Sequence, residues 1–241
     1  PARFGDPQRR AVREAARRAG LRTERIINEP SAAALARAWS AVRDDTETTV
    51  LVYDFGGGTF DATVLRARGG SCRVLASEGD DRLGGMDIDA ALYEYATGRF
   101  RDEYSIATDD DPFLAGQVMD LCEKAKKELS VSQEATVAIP FMQLRGQVIH
   151  PSIRIDRPVF DALSAPFIER TLDLVRRVMT VARVQPESIG AVVLSGGSSR
   201  IPLARSSIAR MLGREPDPRI NPEEIVGLGG SVGAARNEGR V

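Results

Sequence analysis

Histidine occurs once, cysteine twice and lysine three times in 241 residues, and each scarcity removes a class of function. Because His150 is the sole imidazole, no His-Arg-Asp catalytic loop exists, so Asp54-Phe55-Gly56 is not the magnesium triplet of a protein kinase. Cys72 and Cys122 stand alone with no C-x-x-C pair, which argues against a zinc site and reads as reduced thiols in a cytoplasmic protein. No apolar run approaches the ~18 residues needed to cross a bilayer, and no signal peptide is visible, so no membrane partner is expected. A formal net charge of -1 argues against general nucleic-acid binding. The G-x-x-x-x-G-K-[ST] phosphate loop is missing, and the glycines after Asp54 lack the G-x-G-x-x-G spacing of a dinucleotide fold.

What is present is an ordinary soluble composition, 42% hydrophobic and 28% charged, with chain enough for one large or two small domains. Of 33 basic residues three are lysine, so thirty are arginine, and the lysines crowd into Lys124, Lys126 and Lys127. In a chain that otherwise uses arginine for its cations, such clustering points to a compact ammonium needed at one place; surface pairing with Glu123 and Glu128 on a solvated helix explains it equally well. Glu123, Lys126, Lys127 and Ser130 stand at i, i+3, i+4 and i+7 and share one helix face.

The segment from Val50 to Asp61 joins an apolar strand to a Gly56-Gly57-Gly58 turn bracketed by Asp54 and Asp61. Consecutive N–H groups in such a turn make a concave anion site, Asp54 and Asp61 suit Mg2+ or a water, and the Thr59 hydroxyl suits a phosphate oxygen. A plain β-hairpin with a glycine-rich turn remains open as an alternative. A second turn, Gly196-Gly197-Ser198-Ser199-Arg200, follows another buried strand. Its glycines allow close approach of a base or sugar and Arg200 offers a planar guanidinium, although an ordinary strand-to-helix turn capped by Ser198 reads as well.

The pattern predicts a basic helix from Asp6, as cap, to Gly20, a short strand from Arg22 to Ile27 and an alanine-rich helix from Asn28 to about Ser40. A polar linker over Arg43 to Thr49 precedes three strands, Thr48 to Phe55, Thr59 to Arg66 and Cys72 to Ser77, in an antiparallel meander. Helices over Met86 to Tyr104 and Pro112 to Ser130, with strands at Ala135 to Ile139 and Val148 to Ile155, read as an inserted α+β subdomain. A helix from about Val159 to Val184, a buried strand Ala191 to Ser195 and helices Pro202 to Gly213 and Pro222 to Arg236 follow. The order predicts a mixed sheet flanked by helices, an α/β architecture.

In order and in motif the chain resembles the nucleotide-binding domain of the seventy-kilodalton heat-shock chaperones, the DnaK type. The resemblance rests on Pro1-Ala2-Arg3-Phe4, Arg25 to Leu35, Asp54 to Asp61, Leu83-Gly84-Gly85-Met86-Asp87, Glu123 to Ser130, Gly196 to Arg200 and Ile220-Asn221-Pro222-Glu223-Glu224, in the family's order. It implies an actin-like ATPase (ribonuclease H-like) fold whose lobes close on Mg-ATP, in a chaperone whose nucleotide state controls binding and release of unfolded peptide. Residues 1–43 then end lobe I with the interlobe helix, 44–84 and 157–241 form the inner subdomain of lobe II, and 85–156 its outer subdomain. With Pro1 rather than Met first, the chain reads as a piece of something longer. Lobe I's phosphate loop, its lysine and the peptide-binding domain have no counterpart in it, so weak ATP or ADP binding without full catalysis is expected.

The resemblance also implies roles. Asp54 and Asp61 would hold the metal shell, Gly56, Gly57, Gly58 and Thr59 the phosphates, and Glu29 with Asp61 the attacking water. Glu123, Lys126, Lys127 and Ser130 would face the adenosine opposite Gly196, Gly197, Ser198 and Arg200, with Glu223 toward the phosphate or metal side. Pro1 and Arg9 match a pair that couples nucleotide state to lobe rotation. Lys127, Met86, Glu223 and Arg3 depart from the family's usual residues, which points to altered affinity or exchange. Implied partners are nucleotide, client peptide, a nucleotide-exchange factor and a J-domain co-chaperone. A non-catalytic docking module and an actin-like small-molecule kinase are the alternatives, the latter lacking any evident sugar-binding acid.

Overall fold

The computed structural model describes residues 4–23, 26–40, 46–68, 71–144, 146–218 and 221–237. Its organising element is β1, Thr48–Phe55, whose β-branched and aromatic run suits a strand covered on both faces. β1 pairs antiparallel with β2, Phe60–Arg68, which pairs antiparallel with β3, Ser71–Asp80; on its other side β1 runs parallel to β8, Ala191–Ser195, giving the order β3-β2-β1-β8. The parallel pair requires a long crossover, and the residues between β3 and β8 supply it.

Alternation along β1 divides its side chains between two cores. Val50 and Val52, with Ala191 and Val193 of β8 and Leu65 and Ala67 of β2, meet Ala33 and Ala34 of α2, Glu29–Ser40, and Ile225 at the start of α7, Ile225–Asn237. Leu51, Tyr53 and Phe55 point the other way, onto α5, Arg157–Ala182, and α6, Pro202–Leu212. There Tyr53 and Phe60 pack edge to face with ring centroids 4.8 Å apart, and Phe55 lies edge-on to both. The buried Tyr53 hydroxyl is 2.6 Å from Thr171 Oγ1, which itself donates to the Ile168 carbonyl, so Tyr53 is the donor of the first bond.

Between β3 and α5 lie α3, Gly85–Tyr104, α4, Pro112–Leu129, and two small antiparallel pairs, β4 (Glu134–Ala138) with β7 (Ser152–Asp156) and β5 (Met142–Leu144) with β6 (Gln147–Ile149). α4 starts at the Asp111 side chain, which accepts the Phe113 and Leu114 N–H groups; α5 starts likewise at Asp156, which accepts the Val159 N–H. Their apolar residues join the same core as the α5 face of the sheet.

Most elements lie where the sequence predicts them, and the exceptions have local causes. Asp6 is the first residue of α1, Asp6–Arg18, while Gly5 is its cap. Gly20 ends the helix as expected, at φ 75°, with the Leu21 N–H closing onto Ala16 O at 2.9 Å. The strand expected over Arg22 to Ile27 is not formed by Arg22, Thr23, Ile26 or Ile27, since among the described residues no strand lies alongside to take its hydrogen bonds; residues 24–25 lie outside them. The run from Val148 to Ile155 is two strands, because Pro151 has no N–H to give a ladder and splits it between different partners. The last helix starts at Ile225 rather than Pro222: the Asn221 carbonyl accepts the Glu224 and Ile225 N–H groups, so the residues before the helix form a turn. Of the linker, residues 41–45 lie outside the described residues, and β1 takes up its end from Thr48.

α2 and α7 cross at their backbones. A Cβ on Gly229 would sit 1.7 Å from the Ala32 carbonyl oxygen, so only glycine fits, whereas a Cβ on neighbouring Gly230 meets nothing within 4 Å. Gly229→Ala should therefore destabilise the chain by about 2–3 kcal/mol through forced helix separation, while Gly230→Ala should be neutral or stabilise by up to about 1 kcal/mol through helix propensity. Urea unfolding of both variants checks this, and equal midpoints would contradict the crossing.

Candidate functional site

The β1–β2 turn is a hairpin, as one sequence reading held, yet its glycines are not idle. A Cβ on Gly57 or Gly58 would meet nothing within 4 Å, so their backbone faces open space, while Gly56 closes the turn by donating to Thr59 O at 3.0 Å. Thr59 is exposed at the lip. The Gly56 carbonyl receives the Gly85 N–H at 3.0 Å and the Ser198 hydroxyl at 2.8 Å, and Gly57 O receives the Met86 N–H at 2.7 Å. Three glycine segments are thereby drawn together: a Cβ on Gly84 would lie 2.3 Å from Gly57 O, and one on Gly196, at φ 80°, 2.4 Å from Phe55 O.

This knot forms the floor of a cavity of about 960 Å3. Glu123, Lys126 and Lys127 of α4, with Ser130 just past its end, line one wall, and Gly197, Ser198, Arg200 and Glu223 the other, with Gly57 between. A helix face and a glycine turn that lie some seventy residues apart in sequence thus share one space. Ser198 is not a helix cap: its hydroxyl goes to Gly56, and α6 begins later, at Pro202. Arg200 donates to Asn221 Oδ1 at 2.7 Å and pairs with Glu223 at 3.3 Å. Lys127 and Glu123 pair at 2.7 Å on the exposed rim, the pairing that lowers the Glu123 carboxyl and raises the Lys127 ammonium in pKa. Such exposed pairs contribute no more than about 1 kcal/mol, so these side chains are available to exchange one partner for a ligand.

Lys126 differs from Lys127. Its ammonium is buried, donating to Gly85 O at 3.0 Å and to Asp89 Oδ2 at 2.6 Å. Asp89, thirty-seven residues away, carries no local sequence signal that would have marked it, and Asn221 had a motif but no assigned role. Cys122, one turn before Lys126, is pushed up to about 12 by burial and by Asp89, which makes it an unreactive thiol.

Asp54 and Asp61 are outside the lining of that cavity; at the end of β1 they are directly opposed in the antiparallel ladder, and Ser195 stands beside Asp54 in the parallel one. Glu29, in the first turn of α2, acts on Asp54 through its charge. Burial and then the Glu29 charge raise the Asp54 carboxyl to about 6; the Ser195 hydroxyl opposes this and Asp61 adds to it. Among the described residues no three His, Cys, Asp or Glu side chains converge as a metal cage. Two opposed carboxylates in a negative field fit Mg2+ nonetheless, since that ion takes one or two protein carboxylates and completes its shell with water and phosphate oxygens. Arg9 lies apart from the cavity, reaching Asn28 Oδ1 at 2.5 Å and Phe4 O at 2.9 Å, so it ties α1 to the entry of α2; Pro1 lies outside the described residues.

The family model for Hsp70 protein matches residues 1–241. The chain belongs to the Hsp70 family. Its sheet flanked by helices is accordingly the actin-like ATPase fold, and the chain is Hsp70 chaperone ATPase sequence, of a family that binds nucleotide, typically with Mg2+, and client peptide.

In this Hsp70 the raised Asp54 pKa has a stability consequence of definite sign. An acid that holds its proton more tightly folded than unfolded loses stability as pH rises from about 4 to about 6 and bears the full cost above that window. Asp54→Asn should therefore stabilise the unliganded chain at pH 7.5 by on the order of 1 kcal/mol, with the gain shrinking toward zero at pH 4. Urea melts at the two pH values test this; a gain of equal size at both would refute the assignment.

Proposed function

We propose that this chain supplies the adenosine wall, the outer phosphate turn and the metal carboxylates of an Hsp70 ATPase site. The observation that carries the reading is the joining of the Gly56–Gly58 turn, the α4 face and the Gly196–Arg200 turn around one cavity. Glu123, Lys126, Lys127 and Ser130 meet the nucleoside from one side, and Gly196, Gly197, Ser198 and Arg200 from the other. Gly57 and Gly58 present backbone N–H groups to phosphate, Gly56 closes the turn beneath them with its own N–H on Thr59 O, and Thr59 donates its hydroxyl to phosphate. Asp54 and Asp61 would hold Mg2+, with Glu223 acting from the far wall; the ion would supply neutralisation of phosphate charge. Glu29 and Asp61 orient the attacking water. Lys127 brings a point charge where a guanidinium would stack on the base, which supports weak nucleotide affinity.

Residues 1–43 are on this reading the end of lobe I, 44–84 with 157–241 the inner part of lobe II, and 85–156 its outer part. Phosphoryl transfer relies on positioning and charge, so without the opposite lobe's loop and lysine these residues alone bind nucleotide but hydrolyse it poorly. The ATP cycle of the protein drives release and recapture of unfolded peptide, with an exchange factor and a J-domain co-chaperone as partners. The two thiols, Cys72 and Cys122, support a cytoplasmic setting.

Calorimetric titration with Mg-ADP tests the site. The chain should bind, and a variant carrying Glu123→Ala and Arg200→Ala should bind at least tenfold more weakly, the size of one or two lost polar contacts. An unchanged affinity in the variant would move the nucleoside elsewhere.

A further inference from the structure

Lys126 stands in an unusual position for a residue meant to meet a ligand. The residue is 9% exposed, and two of the three N–H groups of its ammonium are spent inside the protein, on Gly85 O and Asp89 Oδ2. It nevertheless lines the cavity. Gly85 in turn donates its own N–H to Gly56 O, and a Cβ there would meet both Ser198 Oγ, at 2.4 Å, and Lys126 Nζ, at 3.0 Å. The ammonium therefore touches the junction that binds the phosphate turn, the start of α3 and the Gly196–Arg200 turn. Asp89 sits behind it on α3, buried, with its second oxygen, Oδ1, lacking a hydrogen-bond partner among the described residues. A carboxylate left half-satisfied in the interior is costly unless its charge serves a purpose, and here its hydrogen-bond partner among the described residues is the cavity lysine.

We propose that Asp89 is a positioning residue for nucleotide, clamping the Lys126 ammonium against the Gly85 carbonyl so that the nucleoside wall and the phosphate turn are set by a single cation. Without the Asp89 charge the flexible lysine stem has alternatives, outward into the cavity or toward Glu123, one turn away on α4. Gly85 then loses the side-chain donor on its carbonyl, and the turn beneath the phosphates loses a support. The proposal rests on the reading that the cavity binds nucleotide.

A double-mutant cycle separates this role from a merely structural one. Mg-ADP affinity is measured for the chain, Asp89→Asn, Lys126→Met and the double variant, each first checked for folding by thermal melting. Asp89→Asn keeps the shape of the side chain, so it retains a folded variant. Each single substitution should weaken binding roughly tenfold, as expected for a lost hydrogen bond to a charged group, and the double should be no weaker than Lys126→Met alone. Lys126→Arg, which keeps a cation facing Asp89, should recover part of the loss. Full additivity, or an Asp89→Asn affinity equal to that of the unaltered chain, overturns the role of Asp89 while leaving the nucleotide site intact. If the unaltered chain binds no Mg-ADP, the site reading fails, and the role of Asp89 fails with it.

Discussion

The carbonyl of Gly56 is the point on which this structure turns. It accepts one hydrogen bond from the backbone of α3 and one from the Ser198 hydroxyl, and so links all three glycine segments at a single atom. Backbone can approach backbone this closely only where side chains are missing, which is why Gly84, Gly85 and Gly196 surround it. The consequence is mechanical. A ligand bearing on the β1–β2 turn pushes at once on the helix carrying Asp89 and on the segment carrying Arg200, and those elements form the walls that hold the rest of the ligand.

The carboxylates follow a different logic. Asp54 and Asp61 are brought face to face by strand register, and the energy to hold them there comes from the packing of Tyr53, Phe55 and Phe60 on the opposite face of the same strands. Alternation makes that arrangement automatic: a strand that buries residues 51, 53 and 55 must present residues 50, 52 and 54 to its other side. The site thus borrows its electrostatic strain from a hydrophobic core that is large enough to sustain it, a trade common in catalytic clefts.

Much of this was legible from the sequence, for reasons that are local. β1 and β8 declare themselves through runs of Val, Leu and Tyr ended by glycine, and the helices through Asp caps, proline at the first turn and glycine at the end. The face shared by Glu123, Lys126, Lys127 and Ser130 follows from helical period alone. What could not be read was long-range. Nothing near Lys126 in the chain announces Asp89, and nothing near Ser198 announces Gly56, 142 residues earlier, so a hydroxyl that looks like a cap is in fact a tie between two turns. The split of the run around Pro151 was readable in principle, since a proline inside a strand pattern argues for two strands; the strand expected at Arg22 failed because periodicity cannot supply a neighbour.

The confinement of lysine to α4 has one further effect. All side-chain amines of the sequence lie within four residues of one another: Lys126 is shielded, Lys127 is exposed on the cavity rim, and Lys124 is exposed on the same helix away from the cavity. Amine-directed labels therefore see side chains only at this one helix, and the ratio of modification at Lys127 to that at Lys124 becomes an internal gauge of cleft occupancy, read against a reference that the molecule itself carries.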